Sequence, residues 1–539
     1  MTFNLATILR ESAAATPDKP LLHTSRSTIT YAEVDRRSAR VAAALRARGL
    51  TTGHPVAVVL GNTPEFVVSY FGILRAGLTM MPLNPQLTAR EIAYHLRDSG
   101  ARLVITSGTG LHAVRQAVDE VGPLPIYAVS DGELPEGSVP FASLEQFEPA
   151  ADIHPTASDD TAVLLYTSGT TGEPKGAELT HFQLYMNCSV GGALMGFTPQ
   201  DVTTSVLPLF HVFGLSALLN ATVRYGASTI LIERFAPEEV LEALDRHGAT
   251  VFAGVPTMFS ALLHAGEGRR GLGRVRTAIS GGASMPAEVI RSFEAAFPGT
   301  TVLEGYGLSE TASTTTFNVS PAERRFGSIG RPIWGVEVAI VDQDDRPIGP
   351  GPDHVGEIVV RGHNVMKGYY RRPEATASAI REGWFHTGDL GYRDADGYFY
   401  VVDRLKDLII RGGYNVYPRE IEEVLYEIPG VAQAAVIGRA DDRLGEEIVA
   451  FVAAAPGVSL DATAVQQHCR ERLAAYKCPR QIRLLKSLPL GATGKILKRK
   501  LRERETGTEK SAVADDGGGD STGSATDRAK GTRGVKTRP

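Results

Sequence analysis

Short apolar runs, each followed by a turn and a helical pattern, constrain the fold of this 539-residue chain more than any other feature. Val56-Ala57-Val58-Val59-Leu60 ends in Gly61-Asn62, and Thr63-Pro64-Glu65 then opens a helical pattern. Arg102-Leu103-Val104-Ile105-Thr106 and Ser228-Thr229-Ile230-Leu231-Ile232 are runs of the same kind. Strands alternating with helices predict an α/β fold with largely parallel sheets, and the number of units predicts more than one sheet. Near residue 335 the pattern changes. Residues 337–341 and 356–360 read as strands flanking the turn-rich DQDDRPIGPGPD, which predicts a small antiparallel, β-barrel-like subdomain. Beyond Arg404, helices at 418–426 and 464–473 and strands at 434–437 and 448–453 predict a compact α+β unit of roughly 100 residues. The expected organisation is a large N-terminal domain of layered α/β subdomains at 1–403 and a small α+β domain at 404–502. Residues 503–539 are rich in Gly, Ser, Thr, Asp and Lys, lack apolar periodicity, and are expected to form a disordered tail.

Composition narrows the function classes. Hydrophobic residues make up 43% and charged residues 22%, as in an ordinary globular protein. A net charge of −5 gives no electrostatic reason to expect nucleic acid as a partner. Cys188, Cys469 and Cys478 are scattered, and none forms a CxxC, which argues against a disulfide framework or a thiolate zinc site. The first residues carry charges where a signal peptide needs an apolar core, and no run reaches the roughly 18 apolar residues of a membrane span. A cytoplasmic protein with no transmembrane segment is expected.

The apolar run Ala162-Val163-Leu164-Leu165 feeds YTSGTTGEPKG at residues 166–176. Glycines let a backbone come close to phosphate oxygens, and successive N–H groups can form an anion-binding nest. Thr167, Ser168, Thr170 and Thr171 add hydroxyl donors, and Lys175 adds a compact cation. The spacing differs from the common P-loop, which disfavours a P-loop kinase or GTPase. Thr180-His181-Phe182-Gln183 fits a capping box and predicts a helix start. An isolated GTTG is equally well read as a surface turn, so other stretches decide.

In EGYGLSET, Gly305 and Gly307 flank Tyr306, whose ring can present a face to a base. Glu310 is a hard oxygen ligand suited to Mg²⁺, and Thr311 can donate to a phosphate. In HTGDLGYRDADGYFYVVDR, Asp396-Gly397 signals a hairpin turn, and Asp389 and Arg404 lie at almost equal distances on either side. Pairing the arms would bring them together, where a carboxylate can accept bonds from vicinal hydroxyls and a guanidinium adds a donor fork. An exposed ion pair of no functional weight is the plainer alternative. His211, in LPLFHVFGL at a loop-to-helix junction, reads by itself as a satisfied core histidine. Gly281-Gly282 ends a strand and permits close approach of a flat ring. Lys495, Lys498, Arg499, Lys500 and Arg502 cluster near the end of the globular region and read by themselves as a basic helix end.

Together these stretches resemble the signatures of the adenylate-forming enzymes: acyl- and aryl-CoA ligases, luciferases and peptide-synthetase adenylation domains. The likeness covers about 500 residues, in the family's order, and is strongest to bacterial fatty-acid–CoA ligases. The resemblance implies ATP or AMP contacts from Thr167, Ser168, Gly169, Thr170, Thr171, Gly172, Lys175, Gly282, Ala283, Glu304, Gly305, Tyr306, Gly307, Thr311, Asp389, Arg404 and Lys495. It implies Mg²⁺ at Glu310 and Thr170, and catalytic roles for Lys495, His211 and Glu310. It places an acyl pocket at His211, Phe213, Ala217, Ile279, Gly282 and Gly305, and coenzyme A at Gly412, Gly413, Tyr414 and Arg480. It makes the C-terminal domain mobile about a hinge at Lys406.

The implied reaction is ATP-dependent activation of a carboxylic acid followed by transfer to CoA. A medium- or long-chain fatty acid is slightly favoured because Gly282 and Gly305 would leave depth, and a cinnamate-like aryl acid is the alternative. No Asp is placed to grip an amino group, and VPTMFSALL at 255–263 lacks the arginine of malonyl-activating relatives. Other readings are transfer to an acyl carrier protein, activation of an unusual oxyacid in biosynthesis, a luciferase-like oxygenase, and a nucleotide-binding regulator without chemistry. An oligomer is compatible with the sequence.

Overall fold

The strand-like runs pair into two large sheets in the computed structural model, which describes residues 2–130, 132–167, 173–266, 272–441 and 443–505. In the seven-stranded sheet the order is Ser138–Pro140, Ile126–Val129, Leu103–Ser107, Pro55–Val59, Thr79–Pro82, Thr161–Thr167 and Lys175–Thr180. All neighbours are parallel except the last pair, which is antiparallel around the glycine-rich loop. Pro55–Val59 is buried at every position. That is why the run shows no alternation, since helices cover both faces of a parallel sheet.

The nine-stranded sheet has a parallel centre through Thr301–Tyr306, Thr277–Ser280, Val251–Gly254, Val202–Ser205, Ser228–Leu231 and Pro20–His23. Local signals set the helix starts. Thr63 caps Pro64–Arg75 by accepting from Phe66 N–H, with Pro64 at the first turn. Thr180 and Gln183 form the capping box of His181–Leu194.

Residues 336–404 form a five-stranded antiparallel sheet. Val336–Val341, Gly356–Gly362 and Trp384–Arg393 run side by side, and Ile380–Arg381 and Phe399–Arg404 share the far edge of the last. Its hydrogen-bonded path is open among the described residues, so the expected barrel-like unit is a sheet whose ends do not join.

The small α+β domain contains a second five-stranded sheet with its own buried core, which includes Ile421, Leu425, Val436, Ile448 and Val452. The strands expected at 434–437 and 448–453 are the centres of longer ones, Val431–Asp441 and Gly445–Ala454. Their polar ends pair through backbone bonds and carry no hydrophobic signal. The expected tail begins too early: Lys498–Glu505 is a helix that buries Leu501, and Glu505 accepts from Arg439 and Arg483. Residues 506–539 lie outside the described residues. Among the described residues, no helix is long and apolar enough to cross a membrane.

Candidate functional site

The functional stretches gather where the carboxyl ends of both large sheets meet the small domain, as open α/β sheets arrange their ligand sites. Thr167 and Lys175 are directly opposed across the hairpin that carries the glycine-rich loop. Ser168, Gly169, Thr170, Thr171 and Gly172 lie outside the described residues. A strap at residues 365–372 runs beside this hairpin. Glu178 N–H donates to Gly368 O at 2.9 Å, Tyr370 N–H to Gly176 O at 2.8 Å, and Met366 N–H to Glu310 O at 2.7 Å. Tyr369 on the strap donates its hydroxyl to Glu310 Oε1 at 3.0 Å, and the Lys175 ammonium lies over its ring at 5.3 Å from the centroid.

Glu310 stands on the turn Ser309–Thr311 after the strand Thr301–Tyr306. Among the described residues no group of three or more His, Cys, Asp or Glu is placed to hold a metal. A single carboxylate that shares Tyr369 with the Lys175 ammonium fits Mg²⁺, which keeps its waters and is held by one or two carboxylates plus substrate phosphates. Thr311 corrects the sequence expectation. It is fully buried, its hydroxyl donates to Leu308 O at 3.2 Å, and its oxygen accepts from Leu308 N–H and Thr315. It closes the turn, and the partly exposed hydroxyl there belongs to Ser309.

The hairpin geometry predicted from Asp396-Gly397 is present. Asp389 and Arg404 are register partners, with Arg404 Nε 3.1 Å from Asp389 Oδ1. Tyr306 donates its hydroxyl to Asp389 Oδ2 at 2.7 Å, which fixes the ring at the same corner. The Tyr306 phenol is pushed well above its usual range by burial and by the Asp389 charge. Glu304, on the same strand, is 8% exposed, and burial raises its carboxyl to about 8 against the opposing pull of Arg419 from the small domain. It underlies the site as a buried group.

Lys495 reaches this corner from the other domain. Its loop is a small hairpin: Leu490 pairs with Ile496, Gly491 N–H donates to Lys495 O at 2.8 Å, and Gly494 has φ +77°. The loop docks on the helix Pro256–Ala265, where Thr257 Oγ1 donates to Gly494 O at 3.0 Å. Lys495 is solvent-accessible, but to a cleft walled by protein. Desolvation there, with the Arg404 and Lys406 charges, lowers its ammonium to about 8 while Asp389 and Asp407 pull the other way.

His211 shares the cleft. Desolvation first, then Lys495, lowers its imidazole to about 4, so it is neutral at neutral pH. Phe213 N–H donates to His211 Nδ1 at 3.3 Å, which puts the ring proton on Nε2.

The acyl-pocket residues are only partly as expected. Phe213 opens a π-helix, Phe213–Asn220, where an ordinary helix was expected. π-Helical turns are rare and frequent at functional sites. The Phe213 ring lies against Gly281, where a Cβ would come within 2.9 Å of it, so Gly281 is required by that contact. Ala217 and Ile279 are each 2% exposed and wall the site from the core behind. Gly282 has φ +78°, and Ala283 beside it is exposed. Gly305 does not leave depth: the space a Cβ would fill is occupied by the Phe317 ring, 2.9 Å away, on the paired strand. Gly307 packs against Ser313 O, leaving no room for any side chain.

A family model described as AMP-binding enzyme matches residues 9–370, and one described as AMP-binding enzyme C-terminal domain matches residues 420–495. The chain belongs to the AMP-binding enzymes. It is 38% identical over 532 residues to a long-chain-fatty-acid–CoA ligase of Bacillus subtilis (strain 168), covering 93% of this chain and 94% of that one. It is 39% identical over 480 residues to a feruloyl-CoA synthase of an Amycolatopsis species, covering 89% and 94%. The crystal structure of ATP-bound MatB from Rhodopseudomonas palustris superposes with a TM-score of 0.86 at 34% identity, over 95% of this chain and 100% of that one. The resemblance seen in the sequence is therefore correct, and this AMP-binding enzyme is an AMP-forming acid–CoA ligase.

The residues expected to meet CoA lie on the small domain of this AMP-binding enzyme. Gly412 and Gly413, with φ +60° and +83°, turn the hairpin between Ile409–Arg411 and Tyr414–Val416. Tyr414 is 59% exposed and stacks on Tyr476 at 4.7 Å. Buried Glu447 holds Arg411 at 2.7 Å and Arg480 at 3.2 Å, tying that turn to Arg480. Lys406 is exposed in the turn between the domains.

Sequence reasoning missed two residues. Asn62 is buried between the large sheets. Its amide donates to Ser205 O and Leu207 O at 2.8 and 3.0 Å and accepts from Leu209 N–H at 2.8 Å, which pins the chain leading to His211. Its only signal was its place after a buried strand. Tyr369 gave none, because its partners lie far away in sequence.

Proposed function

We propose that this ligase activates an apolar monocarboxylic acid, a medium- or long-chain fatty acid first, and transfers the acyl group to CoA. The observation that carries this reading is the character of the proposed acid wall. Phe213, Ala217 and Ile279 are apolar, the glycines are bare, and His211 is neutral. No charge there would pair with a second acidic or basic group on the substrate. The fatty-acid preference rests on this lining and on the likeness to the Bacillus ligase, since the depth expected at Gly305 is filled by Phe317. An aryl acid is the second reading, favoured by the aromatic Phe213 ring packed against Gly281.

In the first step a carboxylate oxygen attacks the α-phosphorus of ATP, the bond to the β-phosphate breaks, and pyrophosphate leaves. Such a transfer demands alignment and charge neutralisation more than proton transfer. Lys175 and the hydroxyl loop would hold the β- and γ-phosphates. Asp389 and Tyr306 would hold ribose and base, with Arg404 aligned by Asp389. His211 Nε2–H would orient the carboxylate. Lys495, protonated at neutral pH, would stabilise the negative charge that builds between carboxylate and α-phosphate. Mg²⁺ held at Glu310, with Thr170, would supply charge neutralisation on the phosphates.

In the second step the CoA thiolate attacks the acyl carbonyl and AMP leaves. For this the small domain, which runs from residue 404 through the helix ending at Glu505, would turn about Lys406, withdrawing Lys495 and presenting Gly412, Gly413 and Tyr414. Among the described residues nothing crowds Gly413 within 4 Å of an added Cβ, which suits a loop that admits a narrow thiol arm.

The test is pyrophosphate release with ATP and Mg²⁺ across a panel of aliphatic and aryl acids, with and without CoA. Turnover requiring an apolar acid and CoA supports the reading, and the best acid names the class. Exchange that is indifferent to CoA but discharged by a carrier-protein thiol would replace the acceptor. Light or O₂ consumption would indicate an oxygenase. No response to any acid would refute the proposal.

A further inference from the structure

Two groups of opposite charge face the proposed phosphate site from different sheets, and one side chain touches both. Lys175 begins the last strand of the seven-stranded sheet, and Glu310 follows a strand of the nine-stranded sheet. Tyr369 meets the Lys175 ammonium with its ring face, 5.3 Å from the centroid, and Glu310 Oε1 with its hydroxyl at 3.0 Å. An aromatic face attracts an ammonium without neutralising it, whereas a carboxylate in the same place would pair with it. A hydroxyl donating to one carboxylate oxygen fixes the carboxyl plane and leaves the second oxygen for another ligand.

The backbone holds Tyr369 in this place independently of its side chain. Residue 369 forms an isolated antiparallel bridge with Ala177, its N–H donates to Thr376 Oγ1 at 2.9 Å, and the adjacent Tyr370 N–H donates to Gly176 O at 2.8 Å. Met366 N–H donates to the carbonyl of Glu310 itself at 2.7 Å. The strap is thus bound to both elements that carry the charged groups, and its tyrosine stands between them.

We propose that Tyr369 is a positioning residue that keeps Lys175 and Glu310 from pairing with each other in the empty site. It holds the ammonium ready for phosphate and one carboxylate oxygen ready for the divalent cation. The proposal rests on the reading of Lys175 as a phosphate ligand and Glu310 as a cation ligand. It adds that the two are prepared by one residue with separable parts: the ring serves the lysine and the hydroxyl serves the glutamate.

Separable parts give separable losses. Tyr369→Phe keeps the ring and removes only the hydroxyl. The Mg²⁺ concentration for half-maximal acid-dependent pyrophosphate exchange should rise roughly tenfold or more, the scale of losing an outer partner of a metal ligand. The KM for ATP at saturating Mg²⁺ should stay put. Tyr369→Leu removes the ring as well and should raise the ATP KM in addition. Binding without turnover checks the same point. In a titration of a fluorescent ATP analogue, the Phe variant should lose only the increment that Mg²⁺ adds, while the Leu variant should also bind metal-free nucleotide more weakly.

Unfolding temperatures of both variants identify any loss of fold. If the Leu variant fails to fold, the Phe variant alone decides. A wild-type Mg²⁺ midpoint in the Phe variant overturns the proposal, as does an equal loss of Mg²⁺ and ATP affinity in that variant. Glu310→Gln and Lys175→Ala test the underlying assignment. If neither changes Mg²⁺ or ATP dependence, the assignment has failed, and that result is distinct from a failure of Tyr369 alone.

Discussion

The hydroxyl of Thr257 offers a way to weaken one arrangement of the two domains while leaving the other intact. It donates to Gly494 O at 3.0 Å, one residue before Lys495, and links the helix Pro256–Ala265 to the small domain. Thr257→Val keeps the shape of the side chain and removes the donor. In the docked form the Gly494 carbonyl would be left half-buried without its partner. In a rotated form it would face water. The loss therefore falls on the docked form alone. An unmade hydrogen bond at a buried site costs about 1–3 kcal/mol, and partial exposure of Gly494 puts this one near about 1–2 kcal/mol. That converts to a roughly five- to thirtyfold fall in acid-dependent pyrophosphate exchange, the half-reaction for which Lys495 is proposed to be in place. Thioester formation from purified acyl adenylate and CoA, measured by stopped flow, should be unchanged or faster. Equal losses in both half-reactions, or an unchanged exchange rate, would refute the argument that this contact holds the adenylating arrangement.

Three further outcomes follow from the site. The Lys495 ammonium lies near 8, below its ordinary range, so the charged form is lost as pH rises through that value. The kcat/KM for adenylation should therefore fall above about pH 8, and Lys495→Arg should move that limb upward. An unmoved limb would dissociate it from Lys495. Gly413→Ala should slow thioester formation with adenylation unchanged, because an added Cβ meets nothing within 4 Å and φ +83° adds only local strain of about 1 kcal/mol. Equal rates would mean that CoA does not pass this loop. Glu304 is raised to about 8 from an unfolded value of about 4.3, so the folded state holds a proton that the unfolded state lacks. Its contribution is fully present below the unfolded value and is lost as pH rises through about 8. Unfolding temperatures should show that Glu304→Gln loses less stability than wild type between pH 5 and pH 9, and an equal loss in both would contradict the assignment.

Part of the site was legible because the controlling interactions are local. The capping box at Thr180 and the opposition of Asp389 and Arg404 follow from spacing over a few residues or across one tight turn. Other features were misread where distant residues intervene. Gly305 suggested open depth until Phe317 came to lie against it, and Thr311 suggested a phosphate donor until Leu308 and Thr315 engaged its hydroxyl. The helix Lys498–Glu505 read only as a basic helix end, and its continuation past residue 502 was missed because Leu501 alone buries apolar surface and Glu505 is held by Arg439 and Arg483 from distant strands.

The sequence by itself determined the alternation of buried strands and helices, the family signatures, and the chemical types available for a phosphate, a ribose and a divalent cation. These depend on periodicity, turn chemistry and side-chain identity, which act over a few residues. Only the tertiary structure decided which of those groups meet. Lys495 faces His211 and Arg404, Asn62 pins the loop to His211, and Tyr369 stands between Lys175 and Glu310. Those encounters join residues from tens to hundreds of positions apart. They arise from the packing of two sheets and a docked domain, for which a linear pattern carries no signal.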